Sequence, residues 1–355
     1  MDLKVKPAFR IIANDEDITQ AVVDRLRALR LSDETGTTSD TLEITLADHI
    51  PAQPIALPPT GAELDVSLGY EGSALRYMGR FVCDEVEVGG FPSYLAIRCR
   101  ASPYEESTKG QKDLQTHKSR SWKAGTTIGA MVKKIASEHG LKPAVAAALA
   151  SIALPHTDQT NESDMNLLLR IAKRYDAVAK PAAGSLVFAV RGAGESVTGQ
   201  ALPRIDVAAK DVSSYRMSIA RRDSPGTVIT YYRDIAKAER HQVKVGDGDP
   251  VKTIRHQFRN KAQADAAAKA EQARRTRAES NLSMTFPGNP DVVAEGILSL
   301  GDGFHAAAAG DWLVKSAEHY MGPNGYTTSV NCERPNGDPE DDGADEVQPN
   351  VDEGE

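Results

Sequence analysis

The sequence predicts a mainly β fold of the α+β class, made of two similar antiparallel β-units, a small inserted α/β domain and a connector that contains one helix. Short segments in which apolar and polar residues alternate between glycine-containing turns predict antiparallel strands near both ends of the chain. One series of such segments, at residues 66–99, returns in the same order at residues 298–332. Helical spacing of apolar residues between the two series predicts the insert and the connector.

Five short segments make up each copy of this repeat. The first copy reads Val66-Ser67-Leu68-Gly69, Met78-Gly79-Arg80-Phe81-Val82, Glu85-Val86-Glu87, Gly90-Phe91 and Ile97-Arg98-Cys99. The second copy reads Leu298-Ser299-Leu300-Gly301, Gly310-Asp311-Trp312-Leu313-Val314, Ala317-Glu318-His319, Gly325-Tyr326 and Val330-Asn331-Cys332. Two copies of one β-unit can lie on one ring, so the repeat points to assembly rather than catalysis. The alternative is a chance similarity between two unrelated β-meanders.

Residues 1–105 are predicted to form the first β-domain. Residues 41–46 give the clearest half-buried strand, because leucine and isoleucine alternate there with threonine and glutamate. Residues 22–32 fit either a short helix or a bent strand. Further strands are expected at residues 64–69, 77–88 and 93–101.

Residues 106–200 are predicted to form a linker followed by the α/β insert. Residues 107–123 are polar and basic, and they fit a linker or an exposed strand. Apolar residues recur at helical spacing over 128–139, with Thr126 or Thr127 as the N-cap and Gly140 just past the end. The remaining elements expected here are a short helix at 143–153, a helix capped by Thr160 or Ser163, and a hairpin at 177–190.

The second β-domain is predicted to be split into residues 201–245 and 282–335, with a helical connector at 246–281. The turn sequence Ser224-Pro225-Gly226 predicts a hairpin, and it would join strands at 215–220 and 227–233. Residues 260–280 are rich in alanine, a strong helix former, and the shallow face of this helix is expected to pack on a sheet or on a neighbouring subunit. Four charged residues are expected on its outer surface: Glu271, Arg274, Arg275 and Arg277.

Charge is concentrated near the C-terminus. Nine acidic residues and no lysine or arginine follow Arg334, so residues 336–355 are predicted to form an acidic, disordered tail. The rest of the chain is nearly neutral and offers no electrostatic footprint for specific nucleic-acid binding. No apolar run approaches the length that crosses a bilayer, and the N-terminus lacks the apolar core of a standard signal peptide.

The sequence offers no catalytic, cofactor-binding or metal-binding residue that can be assigned. The eight histidines lie outside metal-ligand spacings, and His319 is expected on a strand, half exposed. Glu85 and Glu87 share one face of a strand. Acidic residues on the solvent-facing side of an alternating strand explain this arrangement without an active site. The three cysteines favour small buried thiols over a disulfide framework, although Cys83 and Cys99 can face each other across a hairpin.

Two glycine-rich segments also fall short of a site. Gly192-Ala193-Gly194 lacks the third glycine and the following helix of a dinucleotide-binding loop, so it is interpreted as a turn. Gly246-Asp247-Gly248-Asp249 lacks the remaining ligands of an EF-hand calcium loop.

Four stretches of the sequence carry a family resemblance. They are Phe9-Arg10-Ile11-Ile12 with Ser39-Asp40-Thr41-Leu42, Met78-Gly79-Arg80-Phe81, Gln159-Thr160-Asn161-Glu162-Ser163-Asp164, and Gly310-Asp311-Trp312-Leu313-Val314 with Gly325-Tyr326. In this order, over residues 5–335, they resemble the phage late control protein D family. Its members are the hub proteins of contractile tails, related to the hub half of type VI secretion VgrG proteins.

The resemblance implies a homotrimer in which each subunit contributes two similar antiparallel β-barrel domains of the tail-tube type. Six barrels would then form a pseudo-sixfold ring that continues the hexameric tail tube and binds a trimeric central spike on its far side. VgrG proteins continue into a β-helical spike, whereas this chain has the acidic tail there, so the spike is expected to be a separate protein. The family supplies no catalytic residues.

We therefore expect a structural baseplate hub, not an enzyme, of a contractile phage tail or an R-type, tail-like bacteriocin. It would be made in the bacterial cytoplasm and would meet the tail tube protein, the central spike protein and other baseplate proteins, without membrane insertion. The helix at 260–280 and the acidic tail are the candidates for contacts with other subunits or the spike. Two alternatives stay open: a tail-tip cell-wall hydrolase, and a carbohydrate-binding module with residues 120–195 as the reader.

Overall fold

The computed structural model of the chain describes residues 6–35, 40–48, 50, 54–101, 114–182, 185–192, 204–220, 226–234 and 239–335. Thirteen strands in this part of the chain form one large, mostly antiparallel sheet, and three smaller sheets accompany it. The predicted fold class, mainly β with two similar units, an insert and a helix-containing connector, is confirmed. Within the described residues the large sheet is an open path, and its end strands do not pair to close a barrel.

The first β-unit contains one short helix and seven strands. These are β1 (Pro7–Ala13), β2 (Glu16–Asp17), α1 (Thr19–Val23), β3 (Leu26–Glu34), β4 (Thr41–Ala47), β5 (Glu63–Tyr70), β6 (Arg76–Gly89) and β7 (Tyr94–Ala101). Strand β4 buries Leu42, Ile44 and Leu46, so the predicted alternation is confirmed. Residues 22–32 contain the end of α1 and most of β3, and β3 is a strand because it pairs along β4.

The insert contains β8 (His117–Trp122), α2 (Ile128–Glu138), β9 (Lys142–Val145), α3 (Ala147–Ala150), β10 (Thr157–Ser163), α4 (Asp164–Arg174), β11 (Ala177–Ala182) and β12 (Ser185–Val190). Its core is apolar and separate from those of the β-units. The N-caps are Thr127, whose hydroxyl accepts from Ala130 N at 3.1 Å, and Ser163, whose hydroxyl accepts from Asn166 N at 3.1 Å. Both helices and the hairpin of β11 with β12 are confirmed.

The predicted helix at 143–153 is wrong in its first part. Residues Lys142–Val145 form β9, which pairs in parallel with β12, and only the single turn α3 is helical. Pairing with the hairpin outweighs the helix preference of alanine, and Pro143 lacks the N–H that a helix interior uses.

The rest of the chain contains β13 (Arg204–Val207), β14 (Ser214–Ile219), β15 (Thr227–Asp234), β16 (Glu239–Gly246), β17 (Val251–Phe258), α5 (Lys261–Glu279), β18 (Ser280–Pro287), β19 (Ile297–Leu300), β20 (Gly310–Gly322) and β21 (Gly325–Glu333). The second β-unit takes β13, β14 and β18–β21 from this series. Its core includes Trp312, which is completely buried.

The predicted hairpin between residues 215–220 and 227–233 is wrong. Strand β14 pairs with β18 in the large sheet, whereas β15 lies between β16 and β17 in a separate sheet. The alanine-rich face of α5 covers this small sheet, and Thr230 Oγ1 donates to Ala264 O at 2.9 Å. Residues 227–234 and 239–245 therefore lie in one sheet with β17 of the predicted connector, and α5 packs on that sheet through its alanines. The domain boundaries themselves stay a prediction.

The described helices include none that is both long and apolar enough to cross a membrane.

Candidate functional site

The two β-units have the same strand order. The first unit runs β3-β4-β7-β6-β5-β1, and the second runs β14-β18-β21-β20-β19-β13. The sequence repeat is therefore a repeat of sheet topology. The last pair differs, since β1 is antiparallel to β5 while β13 is parallel to β19.

A β-bulge at the same place in each unit fixes how the two copies correspond. In the hairpin of β6 with β7, Cys83 faces Cys99 and the register shifts before Glu85. In the hairpin of β20 with β21, Val314 faces Cys332 and the register shifts before Ser316. Bulges re-aim a strand and are built-in features of a fold, so this match is independent of the sequence similarity.

This correspondence refines the sequence repeat. The closing segments, Ile97-Arg98-Cys99 and Val330-Asn331-Cys332, align as predicted. The earlier segments are offset by one or two residues, because Gly79 corresponds to Gly310 rather than Met78 to Gly310. Both glycines have a positive φ, +136° and +92°, a conformation that favours glycine. The sequence signal that could have given the correct alignment is the pair of glycines itself, because both occupy the same backbone conformation.

Direct strand pairing joins the two units within one chain. The second half of β20 runs antiparallel to β3, from Ser316 opposite Glu34 to Met321 opposite Leu29. We call this contact the internal junction. Thr35 N donates to Lys315 O at 2.9 Å at its end. Arg30 lies 3.5 Å from Glu318, and its guanidinium stacks over Tyr320.

His319 lies in the internal junction and is completely buried, so the expectation of a half-exposed strand residue is wrong. Its Nε2 lies 3.1 Å from Val292 O, which can only accept, so Nε2 carries the proton. Its Nδ1 then accepts from the Tyr326 hydroxyl at 2.8 Å. Burial lowers the pKa of His319 to about 4. A buried, neutral imidazole whose two nitrogens are both hydrogen-bonded has a structural role. No catalytic role is needed to explain the presence of His319.

A buried ion-pair cluster holds the insert and α5 against the second unit. Arg277 is almost fully buried, and it pairs with Asp176 at 2.6 Å and Glu333 at 3.2 Å. Arg191 and Lys315 also lie near Glu333, at 3.3 and 3.8 Å. The expectation that Arg277 faces outward is wrong, because the helix turns this residue toward acids from two other parts of the fold.

A second charge cluster lies in the insert, with His139 and Asp164 buried and Glu138 at the surface. The possible ligand atoms of Glu138, His139 and Asp164 lie within 4.8 Å of one another. Lys118 Nζ, however, is 2.5 Å from Asp164 Oδ2 and 3.0 Å from Glu138 Oε2. Arg120 binds the same two carboxylates. The chain's own ammonium group fills the position that a metal ion would take.

The same contacts set the ionisation of Asp164. Burial alone would raise its pKa, but hydrogen bonds from Lys118, His139 and Gln159 lower the pKa to about 2. Two cations therefore balance two carboxylates, which is a structural arrangement.

The other residues weighed in the sequence also have structural partners. Glu85 and Glu87 both pair with Arg98, at 3.0 and 2.9 Å. Cys83 and Cys99 face each other as predicted, and both are free, buried thiols. Gly246 ends β16, and residues 247–249 lie in the turn that leads to β17. Gly192 follows β12, and residues 193 and 194 lie outside the described residues.

Comparison with known proteins agrees with this architecture. The family model for the phage tail baseplate hub (GPD) matches residues 106–325. The chain belongs to this family. A probable baseplate hub protein of Escherichia phage P2 is 28% identical, and the alignment covers 92% of this chain and 93% of the relative.

Two solved structures show the same fold. The 43 kDa tail protein of prophage MuSo2 from Shewanella oneidensis has a TM-score of 0.66 at 12% identity, covering 93% of this hub protein and 99% of that chain. The Escherichia coli protein c3393, described as a type VI secretion component similar to the T4 tail proteins gp27 and gp5, has a TM-score of 0.52 at 10% identity. That match covers 87% of this chain and 73% of the other. The protein is therefore a baseplate hub protein, a structural component of a phage tail.

Proposed function

We propose that this baseplate hub protein works as a homotrimer that forms a pseudo-sixfold ring. The ring joins the hexameric tail tube on one side to a trimeric central spike on the other. One observation carries the proposal: each chain contains the same six-strand order twice, in one continuous sheet. Three such chains supply six similar β-units, which is the number that a sixfold tube presents to its neighbour.

The proposed hub acts by packing rather than by catalysis. The buried charges described above pair with one another, as charges that stabilise a fold do. The stability of such a ring rests on closed sheet edges and on apolar area buried between copies, as in other obligate assemblies. We infer that the protein is not an enzyme and needs no cofactor or metal ion.

The proposed partners are the tail tube protein, a separate spike protein and other baseplate proteins. Assembly into a phage tail, or into a headless tail-like bacteriocin, would follow synthesis in the bacterial cytoplasm. The acidic tail at 336–355 lies outside the described residues, and its contact with the spike stays a prediction. Helix α5 covers the chain's own small sheet, so only its outer face is available for a partner.

The mass of the purified native protein in solution tests this function, together with negative-stain images of the same material. A mass near three times 38.1 kDa, with ring-shaped particles, is expected. A chain that stays monomeric after tube and spike proteins are added contradicts the ring. Release of soluble fragments from purified peptidoglycan would instead favour a cell-wall hydrolase, and retention on a glycan resin would favour a binding module.

A further inference from the structure

The large sheet has two strand edges that correspond to the two sides of the internal junction. By the correspondence of the units, β14 occupies the place of β3, and the end of β6 occupies the place of the end of β20. Strand β14 pairs with β18 on one side only, and the segment from Glu85 to Gly89 pairs with β7 on one side only, within the described residues. The internal junction thus pairs β3 with the end of β20, whereas the corresponding edges, β14 and the end of β6, are left without a partner strand in the described part of the chain.

We propose that β14 of one copy pairs with the end of β6 in the next copy, and that this contact closes the ring. The inference rests on the proposed trimer and names the surface that holds it. Each chain then contributes one internal junction and half of two junctions with its neighbours. The contact is head to tail, which gives a closed ring when the rotation per copy completes a circle.

The internal junction also predicts the register. The residues of β20 correspond to those of β6, and the residues of β3 to those of β14, through the strands that each pair shares. Transferring the pairs gives Glu85 opposite Ala220, Val86 opposite Ile219, Glu87 opposite Ser218, Val88 opposite Met217, and Gly89 opposite Arg216.

Side-chain chemistry supports this register. Val86 and Val88 meet Ile219 and Met217 on one face. On the other face Glu87 meets Ser218, while Glu85 and Arg216 each meet a small residue. A slip of one residue in either direction would place one valine opposite Ser218 and the other opposite Arg216 or Ala220, and it would turn Ile219 and Met217 to the other face. The register also brings Arg216 diagonally near Glu87, as Arg30 lies near Glu318 in the internal junction.

Exposure marks the same two edges. Val88 is 60% exposed, whereas its counterpart His319, which lies opposite Leu31 of β3, is fully buried. Tyr215 is 41% exposed, whereas its counterpart Leu29 is fully buried. Val88 faces the same side as the buried Leu95 across the hairpin, and within the described residues no strand pairs with its outer edge. A second copy supplies that strand.

Hydrogen-bond directions agree as well. In the internal junction, Thr35 donates to Lys315, which makes the odd-numbered residues of β3 the bonded ones. Just past β14, Ala220 N donates to the carbonyl of Glu279, the last residue of α5, and this bond continues the pairing of Ile219 with Ser280 of β18. Even-numbered amides of β14 therefore face β18, and odd-numbered amides face the open edge. Odd-numbered residues of β3 correspond to odd-numbered residues of β14. In both strands, therefore, the amides of the corresponding residues point to the edge that forms the junction.

A cysteine pair tests the contact. Ser32 and Glu318 are opposite each other at a non-bonded position of the internal junction, where Cα atoms lie about 4.5 Å apart and a disulfide fits. Their counterparts are Ser218 and Glu87. Under mild oxidation, the double variant Glu87→Cys/Ser218→Cys is expected to form covalent dimers and trimers on a non-reducing gel. The matched variant Ser32→Cys/Glu318→Cys is expected to close within one chain.

A displaced pair and the native mass separate the outcomes. Glu87→Cys/Ser214→Cys, four residues out of register, is expected to give no covalent oligomer. A trimeric mass with no covalent product from Glu87→Cys/Ser218→Cys, while the internal pair closes, overturns this contact and leaves the trimer standing. A wild-type chain that is monomeric with its partners overturns the proposed function itself. Covalent ladders beyond three chains support the strand pairing and contradict closure at three.

Discussion

At the scale of single residues, Asp164 shows how the insert tolerates buried charge. Its carboxylate is almost fully buried and is bonded by Lys118, Arg120, His139 and Gln159. Asp164→Asn keeps the shape but removes the buried one of the two carboxylates that balance Lys118 and Arg120. Breaking a buried pair in this way typically costs about 3–5 kcal/mol.

We expect urea unfolding of Asp164→Asn to show a loss within that range. Asp158→Asn, the same substitution at an exposed acid of β10, is expected to change stability much less, because solvent screens an exposed ion pair. Equal effects of the two substitutions would contradict the importance of the buried cluster.

The second residue-scale prediction concerns His319 and pH. Its folded-state pKa of about 4 lies below the ordinary value of 6.5, so the unfolded chain binds this proton more tightly. Stability from this group is complete above pH 7 and is lost as pH falls from 6.5 toward 4. The loss approaches about 3 kcal/mol, since one pKa unit equals about 1.36 kcal/mol.

The measurement is the free energy of unfolding between pH 7.5 and 4.5. The variant His319→Gln keeps a donor toward Val292 and has no titrating group, so its stability is expected to fall less steeply over this range. An identical slope for wild type and variant would show that His319 does not titrate on unfolding.

At the scale of elements, Arg277 links α5 to the insert and to β21. The variant Arg277→Met leaves Asp176 and Glu333 without their shared partner, and a loss of about 3 kcal/mol or more is expected. Hydrogen exchange should accelerate together at the end of α4 and in β21. Arg274→Met, on the half-exposed side of the same helix, is the control and is expected to leave both regions protected.

Residue pattern and propensity predicted the elements better than their partners. Alternation located β4 to β7, and capping residues located α2 and α4, because these signals are local. The partner of β14 is β18, more than sixty residues later in the chain, and no local pattern encodes that choice. A turn sequence at 224–226 favoured a hairpin that the fold does not make.

Buried polar residues were the second limit of the sequence. Arg277 and His319 are chemically ordinary surface residues until distant groups meet them. Asp176 and Glu333 lie far from Arg277 in sequence, and Val292 and Tyr326 enclose His319. Their burial follows from the tertiary contacts, so a sequence pattern placed both residues outside.

At the scale of the whole molecule, the two β-units have the same strand order but are packed against different neighbouring elements. Arg100 and Glu333 occupy the same position of the two units. Arg100 is exposed and pairs with Asp84, whereas Glu333 is buried beneath the insert and α5. In the proposed ring the insert would therefore alternate around the circumference, which gives a threefold outer surface on a sixfold core.

The open edge of β14 offers the most direct test of this arrangement. Because the amide of Ala220 faces β18, the amide of Ile219 faces the open edge. Proline is tolerated on an edge strand when its missing N–H faces outward. Ile219→Pro should therefore keep the fold, as judged by thermal unfolding, and weaken the trimer at least tenfold in sedimentation equilibrium. Ile219→Val, which retains the amide, should stay trimeric, and a proline variant that also stays trimeric would exclude this edge from the ring.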